Sequence, residues 1–254
     1  MNSTTGDPTM SGEVMWGEEW APIYKKYTGI RGRTAEVDET VTFLHRYAGE
    51  SNALELGIGD GRVAVPLSKL GVKVDGIDNS NSMLKLLSES TDLVNAWKGN
   101  ISEFQVEQRY GLVFCIYNTF TLVDTREGQL CCLRSAADAL SSEGVLVIEI
   151  VVPELDGIVN GQKVSTLLLD DENTILIADV HDPIKQNLTS TLLWFSGTPV
   201  KRLPHRVRYV YHQELDTMAE CVGLKLSERW EDWAGGAFTE KSKRHVSVYR
   251  RNGL

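Results

Sequence analysis

The feature that most constrains this chain is the run Glu55-Leu56-Gly57-Ile58-Gly59-Asp60-Gly61, where an apolar segment breaks into closely spaced glycines and then resumes. Residues 53–57 read as a buried strand, and residues 62–70 place Val63, Leu67 and Leu70 on one helical face that stops at Gly71. A strand that turns into a helix through glycines leaves its backbone amides open to a ligand, because no side chain covers them and positive φ is allowed. Asp78 closes the next apolar run, 72–78, and stands 21 residues after Gly57. A carboxylate in that place accepts hydrogen bonds from ribose hydroxyls, so the pair points to a nucleoside-containing ligand above the carboxyl ends of the strands. The competing reading is a tight turn and a strand-end aspartate that bind nothing.

The rest of the chain supplies the frame. Val37, Val41, Leu44 and Ala48 predict a helix starting near residue 34, and Ser80 is placed to cap a helix carrying Met83, Leu84 and Leu87. Residues 93–97, 110–118 and 144–153 read as further strands. Between the last two, Asp124 and Glu127 resemble a capping box for a helix bearing Leu130, Leu133, Ala137 and Leu140 and ending at Gly144. This alternation predicts an α/β fold, a Rossmann-like doubly wound, mostly parallel sheet. After Pro153 the rhythm changes to four alternating apolar runs with short turns, an antiparallel β insertion after the fifth strand. Leu215, Met218, Ala219 and Val222 then restore a helix, and residues 223–230 and 245–251 form a hairpin-like end around a loop with Trp230 and Trp233.

Composition removes several function classes. The 254 residues carry a net charge of −9, which opposes attraction to nucleic-acid phosphates or anionic lipid. Cys115, Cys131, Cys132 and Cys221 show no C-x-x-C spacing, so buried reduced thiols are expected rather than disulfides or zinc ligands. The first residues lack a basic end followed by an apolar run, and no stretch nears the ~18 apolar residues of a membrane span. A cytoplasmic protein without nucleic-acid or membrane partners is the expectation. His181-Asp182 is the one local pair of metal-ligand type, and no metal is expected.

The glycines fall as G-x-G-x-G rather than the G-x-G-x-x-G of dinucleotide folds, with Glu55 two residues before the first. Together with Asp78 and the turn Gly99-Asn100-Ile101, this arrangement resembles the class I S-adenosylmethionine-dependent methyltransferases. The resemblance covers roughly residues 34–152 and 213–251, and the layout is similar to bacterial methyltransferases acting on sugars and natural products. It implies S-adenosylmethionine as cofactor and S-adenosylhomocysteine as product. Gly57, Gly59 and Gly61 would cradle the methionine part, with Glu55 supporting the loop, and Asp78 would hold the ribose. Asn100 and Ile101 would meet adenine; relatives often carry aspartate at that place, and asparagine keeps an acceptor without the charge. Tyr24, Asn79, Met83 and Asn118 complete the implied cofactor set, and Tyr117 or Phe120 would offer π-density near the sulfonium.

The resemblance also implies a division of labour along the chain. Residues 1–33 would be a flexible tail and an aromatic lid, 34–152 and 213–254 the cofactor-binding core, and 153–212 an insertion shaping the acceptor pocket. The expected acceptor is a small molecule, a sugar hydroxyl of a natural product first and an amine second. A hydroxyl needs a base, and His181, His205 and His212 are the candidates, with Asp182 placed to orient His181. His45 and His245 read as structural, Glu149 as a partnered buried carboxylate, and the loop 234–238 as facing the acceptor. An RNA or protein methyltransferase, a dinucleotide-dependent oxidoreductase and a non-catalytic binding module are the other readings, and a monomer or homodimer is expected.

Overall fold

The computed structural model describes residues 20–21, 23–196 and 199–252; the tail expected over the first dozen residues, and Trp16, lie outside them. The central sheet has the order β10-β11-β5-β4-β1-β2-β3. Its strands are β1 (Ala53–Leu56), β2 (Val74–Asp78), β3 (Asn95–Lys98), β4 (Tyr110–Cys115), β5 (Leu140–Val151), β10 (Leu224–Trp230) and β11 (Arg244–Arg251). The strands β1 to β5 pair in parallel, and β11 and β10 close the edge antiparallel. Every residue of β1 and β2 is buried, as expected where helices cover both faces of a parallel sheet.

Alternation assigns the two faces. Leu54, Leu56, Val113 and Cys115 point into a core closed by α5 (Arg126–Ala139) and α6 (His212–Glu220). Ala53, Leu112 and Phe114 point the other way, onto α2 (Val37–Ala48) and α3 (Ala64–Lys69). The helix α4 (Asn81–Ser90) starts where the Ser80 hydroxyl accepts the Met83 N–H, the cap that the sequence predicts.

Four strands leave this frame after β5. They are β6 (Gln162–Leu169), β7 (Thr174–Asp182), β8 (Asn187–Phe195) and β9 (Lys201–Arg208), an antiparallel sheet in sequential order. Its inner face carries Ile175, Leu192, Trp194 and Leu203 and is covered by Trp20 and Ile23 of the N-terminal arm. The arm's helix α1 (Tyr24–Ile30) is latched there by Lys26, which bonds Asn173 at 3.0 Å and lies 5.0 Å from the Trp194 ring.

Several local expectations shift. Thr125, not Asp124, caps α5 by accepting the Gly128 N–H, because the residue that leaves the β region one step later becomes the cap. The strand β5 starts at Leu140 rather than Gly144, through an irregularity in its ladder with β4 between Tyr110 and Leu112. Leu70 is exposed at the end of α3, and Cys221 is exposed after α6. The last insertion strand ends at Arg208, and His212 opens α6.

Candidate active site

A cavity of about 360 Å³ lies over the carboxyl ends of β1 to β4, where the strand order reverses between β1 and β4. That crevice is the usual ligand position in open α/β sheets, and the volume suits a small ligand. The strand β1 delivers Gly57 and Gly59 to it, β2 delivers Asp78 and Asn79, and α4 adds Met83. The turn after β3 contributes Asn100, Ile101 and Ser102.

Local chemistry fixes each group. Gly57 adopts φ +81°, and a Cβ there would stand 2.4 Å from the Thr119 methyl, so the loop tolerates no side chain at this turn. The Asp78 carboxylate accepts the Gly59 N–H through one oxygen and the Ser80 N–H through the other, each at 2.8 Å. Burial raises its pKa against the lowering effect of those amides. It therefore ties the glycine loop to the start of α4 while still facing the cavity. The Asn100 oxygen accepts the Ser102 N–H at 3.0 Å and hydroxyl at 2.9 Å, which leaves its NH₂ as the group free to donate.

Tyr24 enters from the arm, and burial pushes its hydroxyl up to about 12. Pro204, His205 and Arg206 enter from β9. The His205 ring meets Trp20 edge to face at 6.1 Å between centroids, and its Nδ1 is buried without a hydrogen-bond partner. Burial lowers its pKa to about 4, so the imidazole is neutral and weakly basic. Arg206 pairs with Asp124 at 3.8 Å across the cavity rim.

Other predicted residues stand elsewhere. Glu55 lies beneath the loop rather than in the cavity; burial, with Asp60 and Asp78 nearby, raises its carboxyl well above the usual range. A Cβ on Gly61 would strike Leu87 of α4 at 2.4 Å, so this glycine serves helix packing. Asn118 turns away and accepts the Val151 N–H at 3.1 Å. Phe120 is wholly buried in the core. The His181 ring bonds the Tyr209 hydroxyl at 3.0 Å, while Asp182 accepts the turn amides of Ile184 and Lys185 instead of orienting it. His212 packs on Phe238 at 5.2 Å, outside the cavity. Trp233 is buried against Phe43, so its loop does not present it to a ligand. Thr119, Ser102, Asp124, Thr125 and Arg206 line the cavity without having been singled out for it. Position past a strand end marks Thr119 and Ser102, but no local pattern marks Arg206.

Comparison with known proteins places these features in a family. Residues 53–144 match the model of a methyltransferase domain. The CcbJ methyltransferase from Streptomyces caelestis is 34% identical, with 95% of this chain and 98% of that one aligned at a TM-score of 0.87. This chain belongs to the S-adenosylmethionine-dependent methyltransferases.

Two more distant structures share the fold of this methyltransferase. An S-adenosylmethionine-dependent methyltransferase from Clostridium acetobutylicum is 14% identical, with coverages of 91% and 99% and a TM-score of 0.77. An amino pentose methyltransferase of calicheamicin biosynthesis from Micromonospora echinaspora is 15% identical, with coverages of 91% and 97% and a TM-score of 0.68. No curated protein sequence matches the chain. The oxidoreductase and non-catalytic readings fall, and S-adenosylmethionine is the methyl donor.

The site suits that donor on its own evidence. Among the described residues, Glu55 Oε2, Asp60 Oδ1, Arg62 Nε and the Tyr117 hydroxyl are buried without hydrogen-bond partners, and all stand on the glycine loop or near it. Of these, Tyr117 lines the cavity, and a buried, unpaired hydroxyl beside the open backbone of Gly57 and Gly59 fits the zwitterionic end of the donor. No group of three or more His, Cys, Asp or Glu residues that could hold a metal occurs among the described residues. No helix among them is long and apolar enough to cross a membrane.

Proposed function

We propose that this methyltransferase methylates the amine nitrogen of a small, sugar-bearing natural product. Its donor, when bound, supplies a methyl carbon on a sulfonium with a good thioether leaving group. A neutral amine is nucleophilic enough to attack that carbon directly, whereas a hydroxyl needs a base to take its proton as the new bond forms. The observation that carries an amine over the hydroxyl favoured by the sequence is the character of His205. It is the sole imidazole lining the cavity among the described residues, and burial makes it too weak a base for that task near neutral pH. The other lining groups offer no replacement. Tyr24 holds its proton up to about 12, Asp78 is committed to two amides, and Asp124 is paired with Arg206. The amino pentose specificity of the Micromonospora relative agrees with this reading.

In this account Gly57 and Gly59 let the donor approach the backbone, Asp78 accepts from the ribose, and Asn79, Met83, Asn100 and Ile101 border the nucleoside. His205 accepts an N–H of the acceptor and turns its lone pair toward the methyl. The arm and the insertion act as walls that exclude water, a role supported by Tyr24 and β9 sharing one cavity. Proximity and desolvation then supply the acceleration.

Labelled S-adenosylmethionine offered with amino glycosides, their hydroxy counterparts, RNA and protein tests the reading. Label is expected in the amino glycosides, located on nitrogen by mass spectrometry. Label on a glycoside oxygen, or in RNA or protein alone, would overturn it.

A further inference from the structure

Two consecutive non-glycine residues at the end of β4, Tyr117 and Asn118, hold positive φ angles of 58° and 63°. Side chains disfavour this region, so a pair of such residues persists only where neighbours enforce it. Both neighbours come from β5. Glu149 Oε2 accepts the Tyr117 N–H at 2.8 Å, and the Val151 N–H donates to Asn118 Oδ1 at 3.1 Å. The turn thereby swings the Tyr117 side chain into the lining of the cavity, beside the glycine loop.

The ring is held as firmly as the backbone. Arg33 and Arg62 lie 4.9 and 5.0 Å from its centroid, so π-density is already engaged by two guanidiniums rather than kept for a sulfonium. Arg33 is itself gripped by Glu149 Oε1 at 2.6 Å, and Arg62 donates to the Arg33 carbonyl at 3.0 Å. Arg244 joins the same carboxylate at 3.3 Å. Glu149 is therefore the common anchor of the strained backbone and of one cation on the ring. What this assembly leaves unpaired is the Tyr117 hydroxyl, buried and without a partner, on a ring flanked by the Arg33 and Arg62 guanidiniums. Burial raises its pKa further, so at neutral pH it is a donor.

We propose that the Tyr117 hydroxyl donates a hydrogen bond to the carboxylate of the methionine part of S-adenosylmethionine, and that Glu149 is the positioning residue that holds Tyr117 for it. The assignment rests on the donor alone and is independent of the acceptor. It gives a cost-bearing backbone a purpose: the strain places one hydroxyl where an extended strand end would not.

Calorimetry with two ligands tests it. S-adenosylhomocysteine keeps the carboxylate, and 5′-methylthioadenosine keeps the nucleoside and thioether but lacks it. Tyr117→Phe is expected to weaken the first roughly 10-fold or more, as a lost bond to a charged group does, and to leave the second within about 2-fold. Glu149→Gln should reproduce that selectivity, and the double variant should bind within about 2-fold of the weaker single variant because both act through one contact. If thermal melting shows Glu149→Gln to be unfolded, Arg33→Gln carries the same cycle. Unchanged affinity of Tyr117→Phe, or equal weakening of both ligands, would overturn the hydroxyl's role. Additive losses in the double variant would overturn the positioning role of Glu149.

Discussion

Asp78 shows how much one side chain does at this site. Its two oxygens fasten the Gly59 and Ser80 amides, and the same carboxylate faces the cavity, so the proposed ribose contact is coupled to loop geometry. Asp78→Ala should weaken S-adenosylhomocysteine binding more than tenfold by calorimetry, because bonds to a charged acceptor are worth roughly 1.5–3 kcal/mol each. Unchanged affinity would remove Asp78 from the site. Its place on the cavity was legible in the sequence because it follows from chain spacing: a strand end a fixed distance after a glycine turn. Gly57 and Gly59 were legible for the same reason. Gly61 and Asn118 were not, since one more step along the turn points Gly61 at α4 and a positive φ rotates Asn118 toward β5. Among the histidines, sequence left three open candidates; only tertiary packing separates His205, which lines the cavity, from His181 and His212, which do not.

At the scale of elements, the arm and the insertion sheet form one packed unit distinct from the two cores flanking the central sheet. Trp20 is the anchor: it is almost fully buried among Ile175, Trp194 and Leu203, touches the His205 ring, and lies four residues before Tyr24. Trp20→Ala should cost the arm's docking about 3–5 kcal/mol, the usual loss for removing a buried large aromatic side chain. Limited proteolysis is the measurement, with faster tryptic cleavage at Lys25 and Lys26 expected and unchanged cleavage contradicting the anchor. The alternating helices and strands were readable from periodicity, as was the switch to antiparallel strands after Pro153. The arm's partner was not, because an amphipathic segment announces that it will be covered without saying by what. Element boundaries moved where caps and ladder irregularities compete, as at Thr125 and Leu140.

For the whole molecule, the net charge of −9 and the cavity enclosed between sheet, arm and insertion favour a compact acceptor over a polyanion. We propose that this fold works by holding and desolvating its reactants and supplies no base of its own. The pH dependence of kcat/KM on the best amine acceptor, for the wild type and His205→Gln, tests this most directly. An amine must be neutral to react, so the rate should rise with pH to the acceptor's own ammonium pKa and then level. His205, neutral above about 4, should add no inflection near neutrality. The substitution should lower kcat/KM by loosening the acceptor while leaving the shape of the profile unchanged. An enzyme inflection between about pH 6 and 9 that disappears in His205→Gln would contradict the account, since the pocket would then contain a working base.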